Sequence, residues 1–354
     1  MADLTTQLIE QVQSAASAGT KLRIEGGGTK GFMGRATTAE QETLSLKEHT
    51  GIVSYQPVEL VMTARAGTPL VELKAALDEQ NQMLAFEPPV FSASSTLGGT
   101  LATNQSGPGR PWWGSVRDHV LGVRLINGKA EHLRFGGQVM KNVAGYDVSR
   151  LQAGAFGGLG VISEISLKVL PKPAMQRTLV TECTQPEALS LMNQRAGEPK
   201  PITAATWYQG KLYTRLAGAA SAVSAAAAAW GGEELEHAED FWLALANQQH
   251  EFFSSDAPLW RFSVNSKSPA FNLSGATLID WGGSQRWYAG EQDWQQMVSI
   301  ASHAGGQVSL YRGGDRSSEV LHPQAEAIQK LQQRLKASFD PAGIFNPGRA
   351  YSWL

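Results

Sequence analysis

The sequence predicts an α+β protein of two domains, closed by a C-terminal segment that returns to the first domain. Short strand patterns broken by glycine, proline and polar turns fill residues 20–75 and resume after 120. The LPKP stretch at 170–173 marks a domain edge, after which the composition shifts. A last helical pattern at 322–340 leads into PAGIFNPGRAYSWL. With 354 residues the chain is long enough for two or three domains.

Composition and charge exclude several classes of protein. The chain is 42% hydrophobic and 18% charged, which is typical of a globular protein, and its formal net charge of -2 gives no reason to expect nucleic acid as a partner. Its one cysteine, Cys183, excludes an internal disulfide and a cysteine-ligated iron–sulfur cluster. No run of about 18 apolar residues occurs, and Leu4, Leu8 and Val12 recur at helical spacing. We therefore expect a first helix and a cytoplasmic protein.

Each half of the chain has its own succession of elements. In the first half, KLRIEG, TLSL, GIVSY and LVMTARAG predict strands, VELKAALDEQ predicts a helix over 71–80, and the residues 84–115 predict mostly ordered loop. LGVRLI, HLRFGG and VISEISLKVLP then predict further strands. In the second half, strands are predicted at TLVTECT, TAATWYQGKLYTRLAG and PLWRFSV, and helices at PEALSLMNQRAG and SAVSAAAAAWGG.

The stretch KLRIEGGGTKGFMG, residues 21–34, contains Gly26-x-Gly28-x-x-Gly31, and Glu48 follows about twenty residues on. A Rossmann turn needs a helix directly after the third glycine, because the helix N-terminus holds the pyrophosphate. FMGRATTAEQ is a poor start for such a helix, and a Walker A loop is excluded because no Gly-Lys-Ser/Thr occurs. A phosphate cradle of another type and a plain glycine turn both remain open for this stretch alone.

Two further glycine-rich segments favour an extended dinucleotide site. TLGGTLATNQSGPGRPWWGSVRD (96–118) offers glycines and small hydroxyl residues, whose backbone N–H groups can form an anion-binding nest. GAFGGLGVI (154–162) again lacks bulky side chains, so a ring or a ribityl chain could approach its backbone. The stretch 21–34 and the segment 96–118 could bind one pyrophosphate from both sides without a helix dipole.

The ordered series of motifs resembles a known family. GGGTKGF, TARAGTPL, EPP, TLGGTLATNQSGPGRPWWGSVRDHVLGVRLI, KNVAGYDVSRLQAGAFGGLGVISEISLKVLP and FDPAGIFNPGR occur in this order. The series resembles the FAD-binding fold of the vanillyl-alcohol oxidase / p-cresol methylhydroxylase (PCMH) type. Within that fold it is similar to the FAD-binding E subunits of bacterial glycolate oxidase. The resemblance covers essentially the whole chain and is densest over 84–172.

The resemblance implies a PCMH-type FAD-binding domain over 1–172, with subdomains of about 1–83 and 84–172. A cap domain would follow over 173–325, and the segment 326–354 would pack back on the FAD domain. Residues matched to the family motifs imply the FAD contacts: Gly26, Gly27, Gly28, Thr29, Lys30, Gly31, Thr96, Gly98 and Gly99 at the pyrophosphate, and Gly114, Ser115, Asp118, Gly160 and Ile162 along the ribityl and adenosine portions.

The resemblance further implies non-covalent FAD. Family members that bind flavin covalently often carry histidine in or beside the first loop, where this chain has Thr29 and Lys30. Cys183 lies outside the FAD segments.

The chemistry on the substrate side is less well marked in the sequence. Relatives that oxidise 2-hydroxy acids resemble one another in a cap motif of the HxGDGNxH kind, whereas this chain has HAGGQVSLYRGGDRS with one histidine. The seven histidines are scattered without metal-ligand spacing, so no metal is expected. Arg261 and Arg286 are candidates for holding a carboxylate, although an ion pair inside the cap is the alternative. Lys141, Asn142 and Tyr146 either approach the flavin or form a packed turn.

Two functions therefore remain open. The first is an FAD-binding subunit of a multi-subunit glycolate oxidase, for which the resemblance implies a catalytic flavoprotein D subunit and an iron–sulfur F subunit as partners. The second is a self-sufficient FAD-dependent dehydrogenase for a 2-hydroxy acid such as D-lactate. The missing histidine motif favours the first. A binding module without enzymatic activity is a third reading, and the sequence leaves open whether partners attach the chain to the inner face of the membrane.

Overall fold

A computed structural model describes residues 2–37, 40–137 and 146–354. In the first 171 residues a five-stranded antiparallel sheet, in the order β3-β4-β8-β6-β7, lies beside two small sheets, β1–β2 and β5–β9. The strands of this part are β1 Leu22–Glu25, β2 Glu42–Ser45, β3 Ile52–Gln56, β4 Val61–Arg65, β5 Gln82–Met83, β6 Val120–Ile126, β7 His132–Gly136, β8 Val161–Lys168 and β9 Leu170–Pro171. The helices are α1 Thr5–Ala18, α2 Leu70–Asp78, α3 Leu97–Ala102, α4 Arg110–Trp113, α5 Val116–His119 and α6 Val148–Leu151.

Hydrophobic periodicity explains how these elements pack. In α1 the residues Leu8, Val12 and Ala15 lie on one buried face, and Gly19 ends the helix in the left-handed conformation at φ 69°. The central strands β4, β6 and β8 are buried along almost their whole length, because the helices α1, α3 and α6 pack against them. The first helix is thus confirmed, and so are the strands predicted on either side of the loop region.

The region 84–115 is mostly loop, as predicted, but part of it is helical. It contains two short helices, α3 and α4, and α5 follows directly. The side chain of Thr96 accepts a hydrogen bond from the Gly99 amide and so caps α3. Because Gly98 has no side chain, this helix can lie directly against Ala66. A Cβ added to Gly98 would lie only 2.7 Å from the Cβ of Ala66. The glycine-rich composition did not predict α3, because close packing rather than helix propensity stabilises this helix.

The second part is built on an eight-stranded antiparallel sheet in the order β13-β10-β12-β11-β15-β16-β14-β17. Its strands are β10 Met175–Glu182, β11 Ile202–Tyr208, β12 Lys211–Gly218, β13 Glu233–Glu234, β14 Leu259–Ser263, β15 Ala276–Asp280, β16 Gln285–Ala289 and β17 Gln307–Arg312. Its helices are α7 Gln185–Ala196, α8 Ala220–Trp230, α9 Ala238–Ala246 and α10 Trp294–His303, with 3-10 turns at Glu251–Ser254 and Trp281–Gly283. The strands and helices predicted for this half are confirmed.

One face of the eight-stranded sheet carries an aromatic cluster that also includes residues of the first part. Trp287 and Tyr311 of the sheet belong to this cluster together with Met33, and Phe32 and Phe156 pack against it. The ring centroids of Phe32 and Tyr311 lie 5.5 Å apart. The two parts of the chain therefore meet at this face.

The C-terminal residues pack on the first part. The helix α11, Glu326–Phe339, begins four residues after the predicted start at 322. The Leu22 amide donates to the Ile344 carbonyl at 2.7 Å, and the Asn346 amide donates to the Leu22 carbonyl at 2.9 Å. The Lys336 ammonium donates to the Gly158 and Phe345 carbonyls, at 2.7 Å each. These bonds fasten the end of the chain beside β1.

Candidate functional site

A cavity of about 260 Å³ lies where the first glycine loop (26–31) meets the second and third glycine segments. The structure brings together eleven of the fourteen residues matched to FAD contacts in the sequence. They are Gly26, Gly27, Gly28, Thr29, Lys30, Gly31, Thr96, Gly98, Gly99, Gly160 and Ile162. Residues far apart in the chain thus converge on one cavity, as a dinucleotide site requires.

Close backbone approach explains why glycine is needed in the first glycine loop. A Cβ added to Gly27 would lie 1.6 Å from the Ser94 carbonyl oxygen, and one added to Gly26 would lie 2.5 Å from Thr96 Oγ1. Gly28 has a φ of 71°, which residues with side chains rarely adopt. The loop therefore lies directly against the 94–96 turn, and its backbone borders the cavity without side chains in the way.

Lys30 brings a positive charge to this cavity. The residue is only 8% exposed, and no acidic group lies within ion-pair distance of it among the residues that the structure describes. Its Nζ lies 3.5 Å from Thr29 Oγ1 and 5.6 Å from the centroid of the Phe91 ring. Burial lowers the pKa of Lys30 to about 8. A buried ammonium without a counter-ion suits an anionic ligand.

The C-terminal segment supplies two cavity residues that the sequence reasoning did not assign. Asn346 accepts a hydrogen bond from the Ile24 amide at 2.9 Å and donates to the Phe156 carbonyl at 2.6 Å. Arg349 donates to the Gly31 carbonyl at 2.8 Å and lines the cavity. Both belong to the NPGR motif, which was the signal that could have identified them. Arg349 adds a positive charge to the cavity beside that of Lys30.

A second cavity, of about 370 Å³, adjoins the first. Phe156, Asn346 and Arg349 line both of them. The second cavity runs between the third glycine segment and the C-terminal segment, and Leu335 and Tyr351 are among its apolar residues. The two cavities together offer an extended space of the kind that a dinucleotide occupies.

Three of the residues matched to FAD contacts occupy a different place. Gly114, Ser115 and Asp118 are not among the described residues that line the first or the second cavity. Instead, the amide and hydroxyl of Ser115 donate to Asp118 Oδ2, at 2.8 and 2.7 Å, and the two residues cap α5. Gly114 precedes this cap with a φ of 90°. The structure thus gives the three a capping role, and FAD contact by them stays a prediction.

Of the three polar residues predicted in KNVAGYD (Lys141, Asn142 and Tyr146), the structure describes one. Lys141 and Asn142 lie outside the described residues. Tyr146 is described, and its side chain is 98% exposed. Its ring therefore packs against nothing that the structure describes.

Arg286 is not available to a substrate carboxylate. It is buried, and its guanidinium donates to the backbone carbonyls of Gly283 at 3.2 Å, Ser268 at 2.5 Å and Pro269. It also lies over the Phe271 ring, 4.5 Å from the centroid. Both predicted roles, substrate binding and an ion pair within the cap, are corrected by this arrangement. Arg286 holds a loop onto the sheet because carbonyl oxygens satisfy its N–H groups.

Arg261 has a different setting, beside a third and much smaller cavity of about 20 Å³. In the described part of the chain its guanidinium makes no hydrogen bond or ion pair, and it lies over the Tyr311 ring at 5.2 Å from the centroid. Asp280 lines the same cavity. Burial raises the pKa of the Asp280 carboxyl to about 6, although hydrogen bonds from the Thr206 hydroxyl and the Trp281 amide act to lower it. Sequence reasoning missed Asp280.

The described residues contain neither a metal-binding cluster nor a membrane-spanning helix. No set of three or more histidine, cysteine, aspartate or glutamate side chains in that part of the chain is arranged to hold a metal ion. No helix among those residues has both the length and the apolar character needed to cross a bilayer.

The chain is similar to several known proteins. Residues 2–136 match the family model described as an FAD binding domain. Over the whole chain, the fold is similar to that of an alkyldihydroxyacetonephosphate synthase, with a TM-score of 0.66 and 16% identity; the match covers 97% of this chain and 75% of that one. The glycolate oxidase subunit GlcD of Bacillus subtilis is 31% identical over 157 residues, which are 44% of this chain and 33% of that protein.

The similarity to one relative extends from end to end. The glycolate oxidase subunit GlcE of Escherichia coli K12 is 46% identical over 352 residues, which cover 99% of each chain. Together with the FAD binding domain and the similarity of fold, this match confirms the PCMH-type α+β architecture. The chain belongs to the GlcE family of glycolate oxidase subunits.

Proposed function

We propose that this chain is the FAD-binding subunit of a multi-subunit glycolate oxidase. In that role it supports the oxidation of glycolate to glyoxylate and passes electrons to partner subunits. The observation that carries this proposal is the end-to-end similarity to a GlcE subunit, at 46% identity. The converging glycine segments, which form one cavity, support it independently.

The residues of the first cavity fit FAD. The backbone of the first glycine loop faces the cavity and can present N–H groups to an anion. The helix α3 lines the same space, but its first N–H groups already donate to Thr68, Ala66 and Thr96. Three cationic residues, Arg23, Lys30 and Arg349, and one acidic residue, Glu25, line the cavity, so its charge suits a pyrophosphate. FAD, when bound, supplies the redox chemistry, and the protein supplies binding and electrostatics.

We propose that the FAD is held without a covalent bond. Thr29 and Lys30 stand in the first glycine loop, and neither is a residue that attaches flavin. Cys183, the one cysteine, packs against the apolar cluster beneath α7 and α8, and the Trp207 indole donates to its carbonyl at 3.0 Å. It is thus engaged in the second part of the chain.

The proposed partners are the flavoprotein D subunit and the iron–sulfur F subunit. GlcD of Bacillus subtilis is itself similar to this chain, over 157 residues that make up 44% of it. With a single cysteine this chain cannot ligate a cluster through thiolates, so a cluster would lie in another subunit. A cytoplasmic location, with any membrane attachment supplied by partners, belongs to the same proposal.

The test is to follow the flavin absorbance of the purified chain without oxygen. We expect glycolate to leave the flavin oxidised when the chain is alone and to reduce it when D and F subunits are added. Reduction of the isolated chain would instead show a self-sufficient dehydrogenase. Absence of flavin from both the chain and the complex would refute the proposed cofactor.

A further inference from the structure

We propose that Asn346 is a positioning residue of the cavity assigned to FAD. Its side-chain amide joins β1 to the third glycine segment (154–162) and holds Phe156 in a left-handed backbone conformation. The identity of the ligand rests on the proposed function, whereas the arrangement of the amide rests on contacts within this chain. Through these contacts Asn346 keeps the cavity in the shape that FAD needs.

The Asn346 side chain continues a ladder that the backbone begins. Leu22 of β1 forms a parallel bridge with Phe345, and the Asn346 amide donates to the Leu22 carbonyl at 2.9 Å. Two residues further along β1, the Ile24 amide donates to the side-chain oxygen of Asn346, also at 2.9 Å. The first glycine loop starts two residues later, at Gly26. The side chain therefore fixes the end of the strand from which this loop begins.

The nitrogen of the same side chain binds the third glycine segment. It donates to the Phe156 carbonyl at 2.6 Å. The next residue, Gly157, leaves room for this contact, because a Cβ added there would lie 2.7 Å from Asn346 Nδ2. Ile24 and Gly157 both line the first cavity. One side chain thus joins two segments that line that cavity.

Phe156 has a backbone conformation that residues with side chains rarely adopt. Its φ of 52° lies in the left-handed region, which costs free energy for every residue except glycine. The Phe156 amide donates to the Ala102 carbonyl at 2.9 Å, and the Phe156 carbonyl accepts from Asn346. Strained residues of this kind persist where their surroundings hold them in place. Asn346 supplies the contact on the carbonyl side.

The position of Phe156 affects the shape of the whole site. This residue lines both the first and the second cavity, and it packs against the aromatic cluster on the eight-stranded sheet. Relaxation of its backbone out of the left-handed region would move the 156–157 peptide and change both cavities. FAD binding would then carry the cost of restoring the conformation, which the Asn346 amide otherwise removes in advance.

A separate contact keeps the C-terminal segment in place without the Asn346 side chain. The Lys336 ammonium donates to the Gly158 and Phe345 carbonyls at 2.7 Å each. It is also ion-paired with the buried Asp340 at 2.7 Å, and Asp340 accepts a hydrogen bond from the Phe345 amide at 2.8 Å. We therefore expect a chain without the Asn346 side chain to fold, so that stability and FAD affinity can be measured separately.

The test is FAD titration of the flavin-free full-length chain, followed by flavin fluorescence. Asn346 has a φ of 41°, so alanine at this position would add strain of its own, whereas glycine adopts this region freely. Asn346→Gly removes both side-chain hydrogen bonds, and we expect it to weaken FAD binding about 10-fold. The matched control is Ser352→Ala in the same C-terminal segment, where the Ser352 hydroxyl donates to Glu319. Because Ser352 is absent from the described lining of both cavities, this variant should bind FAD like the unaltered chain.

A double-mutant cycle with Phe156→Gly separates positioning from a purely structural role. Glycine at position 156 adopts the left-handed conformation without strain, so less is left for Asn346 to hold. Adding Asn346→Gly to Phe156→Gly should therefore weaken FAD binding only about threefold or less, in contrast to about 10-fold in the unaltered chain.

Hydrogen exchange of the unaltered chain tests the same coupling without a substitution. Coupling between two sites is reciprocal, so FAD should slow exchange of the Ile24 and Phe156 amides about 10-fold. FAD affinity that Asn346→Gly leaves unchanged while the melting temperature falls, equal losses in both arms of the cycle, or exchange that FAD does not slow would each overturn the proposal. These outcomes leave the proposed function intact. If the unaltered chain binds no FAD, the proposed function fails in its cofactor, and the positioning role fails with it.

Discussion

Replacing Lys30 by methionine removes a buried positive charge from the first cavity while keeping an unbranched side chain of similar length. Lys30 is 8% exposed, and burial lowers its pKa from the usual 10.5 to about 8. This fall corresponds to about 3 kcal/mol of unfavourable desolvation in the flavin-free protein. We therefore expect Lys30→Met to stabilise the flavin-free chain and to weaken its binding of FAD.

The sign of the pH dependence follows from the lowered pKa. Below about pH 8 the folded flavin-free chain carries the full cost of the charged ammonium, and the cost disappears as the pH rises toward 10.5. The stability advantage of Lys30→Met should disappear over the same range. Because a bound pyrophosphate favours the charged form, FAD binding at pH 9 should take up about 0.9 proton, against about 0.1 at pH 7.

The assay combines FAD titration with calorimetry in buffers of different ionisation enthalpy. Losing a charge-assisted hydrogen bond costs about 1.5–3 kcal/mol, so Lys30→Met should bind FAD roughly 10- to 150-fold more weakly. Lys74→Met is the matched control, because burial also lowers the pKa of Lys74, which lies on α2 outside the described cavity lining. Equal FAD affinity and equal proton uptake in Lys30→Met and the unaltered chain would refute the placement of the pyrophosphate beside Lys30.

Three further predictions address packing and ion pairing. Gly27→Ala should abolish FAD binding and lower the melting temperature, since its Cβ would lie 1.6 Å from a carbonyl oxygen, whereas Gly197→Ala, in the second part of the chain and 3.4 Å from its nearest neighbour, should fold and bind FAD normally. Glu87→Gln should cost about 3–5 kcal/mol in denaturant unfolding, because it leaves the buried Arg215 without its partner; a loss below 1 kcal/mol would contradict this. Arg286→Lys should lower stability by about 1–3 kcal/mol while flavin content stays unchanged, and a loss of flavin at normal stability would contradict its structural role.

Sequence patterns predicted most helices and strands, because the hydrophobic residues of each element recur at the spacing of a helix or a strand. Strands β11 and β12 form an antiparallel hairpin, and the glycine of its turn stands between two strand-like stretches in the sequence. The helix α7 shows the helical period and begins with a capping box formed by Thr184 and Glu187. The first glycine loop was predicted as a phosphate cradle on other grounds, since its own glycines left a plain turn open and the resemblance of the ordered motifs implied the pyrophosphate contact. Glycines mark positions where the backbone approaches another segment closely, and Gly27 against Ser94 is such a position.

The features that the sequence did not reveal depend on partners far along the chain. Asp280 looks like any polar residue at the end of an apolar strand, and only the pairing of β14, β15 and β16 brings it to the cavity of Arg261. Arg286 looks like an ion-pairing arginine, but backbone carbonyls of a nearby loop surround it. The helix α3 was missed because its stability comes from the Thr96 cap and contact with Ala66, which outweigh the low helix propensity of glycine.

The flavin content of the purified full-length chain tests the central claim most directly. The chain is precipitated with acid, and FAD is then measured in the supernatant and in the polypeptide pellet. We predict about one FAD per chain, all of it in the supernatant, because the cavity binds the dinucleotide without a covalent bond. Flavin that stays with the pellet, or a chain that holds no FAD even after incubation with it, would contradict the account.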